Sequence, residues 1–255
     1  SSMRGSTATA FSINARAAGD KFADPTALRK EFESAALANP GIKAADLAEG
    51  AAGFVAKTGN LAAARRFTGT FATVASASGA DVADISNAAA DIFQKFDVTS
   101  LQEMQKALAA LTLQGKAGAF ELKDAASQFA KMGAAAERFG IGKGAEGIAT
   151  LGGLSQIARS ATGSPEQAAT SVEAMFRQLI AKSGTLKAQG VDVFEKGSSS
   201  KTRGIQSVLV DTISKLGGSL PKLQKVFDDR GIRAVSPLIS TCNEAKNAAQ
   251  GTEAQ

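Results

Sequence analysis

Apolar residues recur along this chain at intervals of three and four, and run after run stops at glycine. Phe67, Phe71, Val74 and Ser78 lead to Gly79. Val82, Ile85, Ala89, Ile92 and Phe96 repeat the spacing, and Leu101, Met104, Leu108 and Leu111 repeat it before Gly115 and Gly118. That spacing puts the apolar side chains on one face of an α-helix. A glycine just beyond the last of them takes the left-handed conformation that ends a helix. Each helix with its turn takes about 15–20 residues, and helices that short are marginal alone and must pack on one another. The pattern therefore predicts an all-α, multi-helix bundle of about ten short helices joined by Gly-rich turns, neighbours antiparallel.

The boundaries carry their own signals. Asp24-Pro25 opens a first helix, stopped by Asn39-Pro40-Gly41, and a second runs from about Lys43 to Lys57. Asn60, Asp81, and Thr99 or Ser100 are the expected caps of the next three. Leu122, Ala125, Phe129, Met132, Ala136 and Phe139 form a sixth stripe; Ile148, Leu151, Leu154 and Ile157 form a seventh. Ser164-Pro165-Glu166-Gln167 is the sharpest start, with Ser capping, Pro first, and Gln placed to close a capping box. Gly190 to Phe194 alternates and reads as one short strand or half of a β-hairpin, followed by the polar loop Lys196 to Lys201, expected to be mobile. Ile205 to Leu216 forms a further helix, Pro221 starts another carrying Leu223, Val226 and Phe227, and a last one begins near Ile232. The glycines are expected between these stretches rather than inside them. Residues 1–23 read as a flexible or partner-ordered arm, 24–248 as the helical domain with sub-boundaries near 140–147 and 184–203, and 249–255 as a polar tail.

Chemistry finds little to work with. There is no His, which removes the commonest general base and metal ligand. With one cysteine, Cys242, there is neither a disulfide framework nor a zinc ligand set. Gly142-Lys143-Gly144-Ala145-Glu146-Gly147 spells the dinucleotide pattern G-x-G-x-x-G, but a helix precedes it where a strand is required, so it reads as a turn with close helix approach. Asp228-Asp229 are adjacent and diverge on a helix, beside Lys225 and Arg230, as surface ion pairs do. The basic clusters Arg65-Arg66 and Lys201-Thr202-Arg203 lack the interleaved aromatic platforms of single-strand nucleic-acid binders, because every aromatic is a Phe on a core stripe. Neither catalytic residue, cofactor nor metal is expected. Net charge is +5, with eleven basic and seven acidic residues in 181–255 against eleven of each in 61–180. No apolar run approaches the ~18 residues that span a bilayer, and no signal-peptide core follows the start.

The middle of the chain has an order of its own. Gly115-Lys116-Ala117-Gly118-Ala119-Phe120-Glu121-Leu122 is followed, one helix later, by Phe139-Gly140-Ile141-Gly142. Then come Leu151-Gly152-Gly153-Leu154, Thr162-Gly163-Ser164-Pro165-Glu166-Gln167-Ala168-Ala169-Thr170, Gly190-Val191-Asp192-Val193 and Leu216-Gly217-Gly218. Over residues 40–240 this order resembles the conserved helical region of tailed-phage tail tape measure proteins. The resemblance implies a structural, non-enzymatic component of the virion tail, present in the host cytoplasm during assembly. Such a protein occupies the tube lumen, sets tube length and aids genome delivery. It implies tail tube, tail tip or baseplate, or tail assembly chaperone proteins as partners, and allows a trimer. A single rod of this length would reach roughly 380 Å, but the glycine breaks imply that the chain folds back into a compact domain, which the resemblance implies is part of a longer protein. The exposed charges expected to meet partners are Lys143, Glu146, Lys201 and Arg203. The competing expectations are a helical cell-wall-degrading domain, disfavoured by the lack of Trp and Tyr for sugar stacking, and an adaptor of a phage-derived injection or gene-transfer particle.

Overall fold

The computed structural model describes residues 24–118 and 120–253. The arm expected at 1–23 lies outside them. Among the described residues there are twelve α-helices, one 3-10 turn and no named strand. The chain divides into two compact units, one of residues 24–116 and 120–127, the other of 117–118 and 128–253.

The first unit holds α1 (Pro25–Leu37), α2 (Ala44–Thr58), α3 (Leu61–Ser78), α4 (Val82–Lys95) and α5 (Leu101–Lys116). Three of its caps are as expected. The Asp24 carboxylate accepts from the amides of Thr26 and Ala27, Asn60 Oδ1 from Ala63 N at 2.8 Å, and Ser100 Oγ from Glu103 N. Asp81 is the exception: its side chain makes no capping bond. The core is aromatic. Phe54 of α2 meets Phe67 and Phe71 of α3 at 5.8 and 5.9 Å between ring centroids, and Phe93 of α4 at 5.5 Å. The edge-to-face geometry of two of these pairs suits the charge distribution of the rings. Phe93 lay off the expected α4 stripe, and the packing of α2 against α4 is what recruits it.

That packing depends on a glycine inside a helix, against the expectation that glycines only separate helices. Gly50 sits in α2, where an added Cβ would lie 2.9 Å from Ser86 Oγ and 3.0 Å from Val82 Cγ1 of α4. Gly69, Gly133, Gly153 and Gly231 are also helical. In a tightly packed bundle, close backbone approach is a second use for the residue that ends helices.

The second unit takes up the chain within α6 (Leu122–Ala136), whose residues as far as Ser127 group with the first. It continues with the 3-10 turn Glu137–Phe139, α7 (Gly144–Arg159), α8 (Pro165–Ala181), α9 (Ser183–Ala188), α10 (Ile205–Leu216), α11 (Leu220–Gln224) and α12 (Asp229–Glu253). Helices α7, α8 and α12 pack together as its centre. Ser164 Oγ accepts from Gln167 N as predicted, but Gln167 Oε1 accepts from Gly163 N, one residue earlier than a capping box requires. Helix α9 was unforeseen. The helix expected from Pro221 is only α11, ending before Val226 and Phe227, which are buried all the same. Helix α12 begins at Asp229 rather than near Ile232 and carries Pro237 inside it.

The segment at 190–194 is extended but is not a strand of a sheet. Val191 and Val193 are buried and Asp192 is exposed, as alternation predicts. Its pairing is a single antiparallel bridge, Phe194 with Thr202. The long polar loop between those two residues leaves nothing further to pair.

Candidate interaction surface

The glycine-dense turn at 139–147 is built by contact, not by looseness. Phe139 buries its ring against Phe176 of α8, centroids 5.8 Å apart. Gly140 closes the 3-10 turn at φ 71°. Gly142 has φ 137°, and a Cβ there would fall 2.7 Å from the carbonyl oxygen of Gly133 in α6. A Cβ on Gly147 would come within 3.0 Å of the Gly142 amide nitrogen. The glycines of the G-x-G-x-x-G spelling thus fold the chain back on itself. The turn presents Lys143, the N-cap position of α7, and Glu146 in its first turn; both side chains are exposed. A glutamate there faces the positive end of the helix dipole.

The basic loop is held by backbone bonds and charge. Glu195 N donates to Lys201 O, and Arg203 N to Val193 O, both at 2.9 Å. Ser198 Oγ accepts from Ser200 N and Lys201 N, fixing the tip. Lys201 is exposed and pairs with Glu195 at 2.9 Å. Arg203 is half-buried, and its Nη1 donates to the Asp192 carbonyl and the Asp211 carboxylate of α10, both at 2.7 Å. Arg203 therefore braces the loop.

The two segments meet. Thr202 Oγ1 donates to the carbonyl oxygen of Arg138, in the 3-10 turn just ahead of Gly140. The loop carrying Lys201 and Arg203 is thereby tied to the turn that leads to Lys143 and Glu146. Beside the loop lies an open cleft of about 790 Å³, lined among others by Ser183, Lys187, Asp192, Glu195 and Lys196. Sequence reasoning missed Thr202, Arg138, Glu195 and Asp211. The polar run from Lys196 to Lys201 reads in sequence as a mobile loop, whereas Ser198 anchors its tip, and nothing local links Arg138 to Thr202.

A second polar junction lies at the start of α12. Gln178 Oε1 of α8 accepts from Asp228 N, while Asp228 Oδ1 accepts from the amides of Arg230 and Gly231. Hydrogen bonding from Gln178, then from the Gly231 amide, holds the Asp228 carboxyl below its ordinary range. This aspartate caps a helix, which accounts for the Asp228-Asp229 pair better than ion pairing.

The family model of phage-related minor tail proteins matches residues 33–228, taking in both units. The chain belongs to that family. Among curated proteins, a probable tape measure protein of Burkholderia phage BcepMu is 25% identical over 158 residues, which are 62% of this chain and 18% of that relative. The chain thus spans less than a fifth of the relative's length. No solved structure matches it. Membership of the family makes this chain a phage-related minor tail protein. No helix among the described residues is long and apolar enough to cross a membrane.

Proposed function

We propose that this minor tail family member is a folded part of a tape measure protein, lying in the tail tube lumen and helping to set tube length. What supports the reading is that a relative named as a tape measure protein matches over 62% of the chain. The helices are short and fold back into compact units, so the contribution of this stretch to length is that of a packed domain and not of an extended rod. Its role is structural, and its partners are tail tube, tail tip or assembly chaperone proteins. They are met at the loop-and-turn cluster, with Lys143, Glu146 and Lys201 offered outward and Arg203 shaping the loop.

The test is genetic and structural together. Removing residues 24–248 in frame from the parent gene should give tails of altered length or none, seen by electron microscopy. Tails of unaltered length and normal number would overturn the reading. A photo-crosslinker at position 143 or 201 should capture a tail protein in assembling particles, whereas one at the buried position 148 should not.

A further inference from the structure

The extended segment that ends at Phe194 carries an unused backbone edge. Phe194 and Thr202 form its antiparallel bridge. The bonds that flank the bridge run between their neighbours, from Arg203 N to Val193 O and from Glu195 N to Lys201 O. That pattern makes Phe194 and Thr202 a non-hydrogen-bonded pair, in which the N–H and C=O of each residue face away from the other strand. Among the described residues, neither the N–H nor the C=O of Phe194 has a partner. The Asp192 N–H, two residues earlier and so on the same edge, has none either. Burial of Val191 and Val193 fixes which face of the segment turns inward, so the edge is held ready. Unpaired backbone groups in a row are a template for another strand.

The same residues border the cleft of about 790 Å³: Asp192, Phe194, Glu195 and Lys196 line it, together with Ser183 and Lys187 of α9. Glu195 is neutralised by Lys201, and Arg203, which also lines the cleft, by Asp211. Lys187, Lys196 and Asp192 have no ion-pair partner among the described residues, which leaves the cleft with a positive balance. We propose that this edge takes up an extended acidic segment of another protein, added as a strand beside Phe194 with its carboxylates against Lys187 and Lys196. A main chain brings both a carbonyl for the Phe194 N–H and an amide for its C=O. A nucleic-acid phosphate only accepts, and would leave that carbonyl unpaired. The proposal rests on the reading of this loop as a partner surface and not on the tape measure role; peptide binding is read in solution and tail length in particles, so either can fail alone.

The test uses the full 255-residue chain, labelled with nitrogen-15 and titrated with a short capped peptide of alternating Glu and Val, or with its Lys and Val counterpart. The acidic peptide should shift the amide signals of Phe194 and Lys196 and slow hydrogen exchange at Phe194, and the basic peptide should do neither. The acidic peptide N-methylated at every residue keeps the charges without the pairing amides, and should bind more weakly and give Phe194 no protection. Lys187→Glu combined with Lys196→Glu should weaken the acidic peptide roughly tenfold or more. Equal binding of the acidic and basic peptides, undiminished binding of the N-methylated one, or no response at Phe194 would overturn the proposal. So would an oligothymidylate that shifts the same amides as strongly. A Phe194 signal that moves with protein concentration alone would also overturn it, by giving the edge to a second copy of the chain. Should the double variant fail to fold, the N-methylated peptide decides on the unsubstituted chain.

Discussion

Thr202 hands its hydroxyl hydrogen to the backbone carbonyl of Arg138, a residue 64 positions earlier in the chain. The bond closes the basic loop onto the glycine-dense turn. Thr202→Val keeps the side-chain shape and removes the donor. Because the site is exposed, the loss should be small, about 0.5–1 kcal/mol. The measurement that separates this from a global effect is amide exchange. Residues 195–203 should exchange faster, while the protected amides of α8 stay as they were.

Two glycines three positions apart in α2 should respond in opposite directions. Gly53→Ala meets only Asn87 Oδ1 at 3.9 Å, and should stabilise the first unit by about 0.5–1 kcal/mol through helix propensity. Gly50→Ala drives a methyl into Ser86 Oγ and Val82 Cγ1, and should destabilise by about 1–3 kcal/mol. Urea titrations of both variants, followed by far-UV circular dichroism, check the sign.

The turn at 140–142 offers a similar contrast. Gly140 has open space around it, so Gly140→Ala meets only the left-handed backbone penalty, about 1–2 kcal/mol. Gly142→Ala adds a collision with the Gly133 carbonyl at 2.7 Å. It should lower stability by about 3 kcal/mol or more, strain and overpacking together. Thermal melts of the two variants should differ by several degrees, the Gly142 variant the lower.

Acid should weaken the start of α12. The folded state holds the Asp228 carboxyl below its ordinary value, so its stabilising contribution is present above the unfolded value. That contribution is lost as pH falls below about 4 through the folded value. Asp228→Asn should flatten the fall in stability across that window relative to the unsubstituted chain, and Gln178→Ala should move the aspartate's titration upward. Stability measured from pH 2 to 6, with carbon-detected NMR titration of the carboxyl, tests both. The group is largely exposed, so salt should reduce the effect.

Much of this fold was legible in the residues because helix formation is local. The stripe from Val82 to Phe96, the cap at Asn60 and the proline-initiated start at Pro165 each need information from within a few positions, and each helix is where that information places it. The stop at Gly79 is equally local, since only φ 74° and a missing Cβ are involved. The same local reasoning places the buried valines at 191 and 193.

What tertiary structure alone decided are the relationships between distant positions. Whether a glycine ends a helix, as Gly79 does, or lets a neighbouring helix in, as Gly50 does, depends on which surface comes opposite. Phe93 joined the core because α2 lies against α4, and Arg203 became a brace because Asp211 came within reach. Spacing along the chain determines which face of a helix is apolar. Packing, which sums weak contacts over many residues far apart in sequence, determines what that face meets.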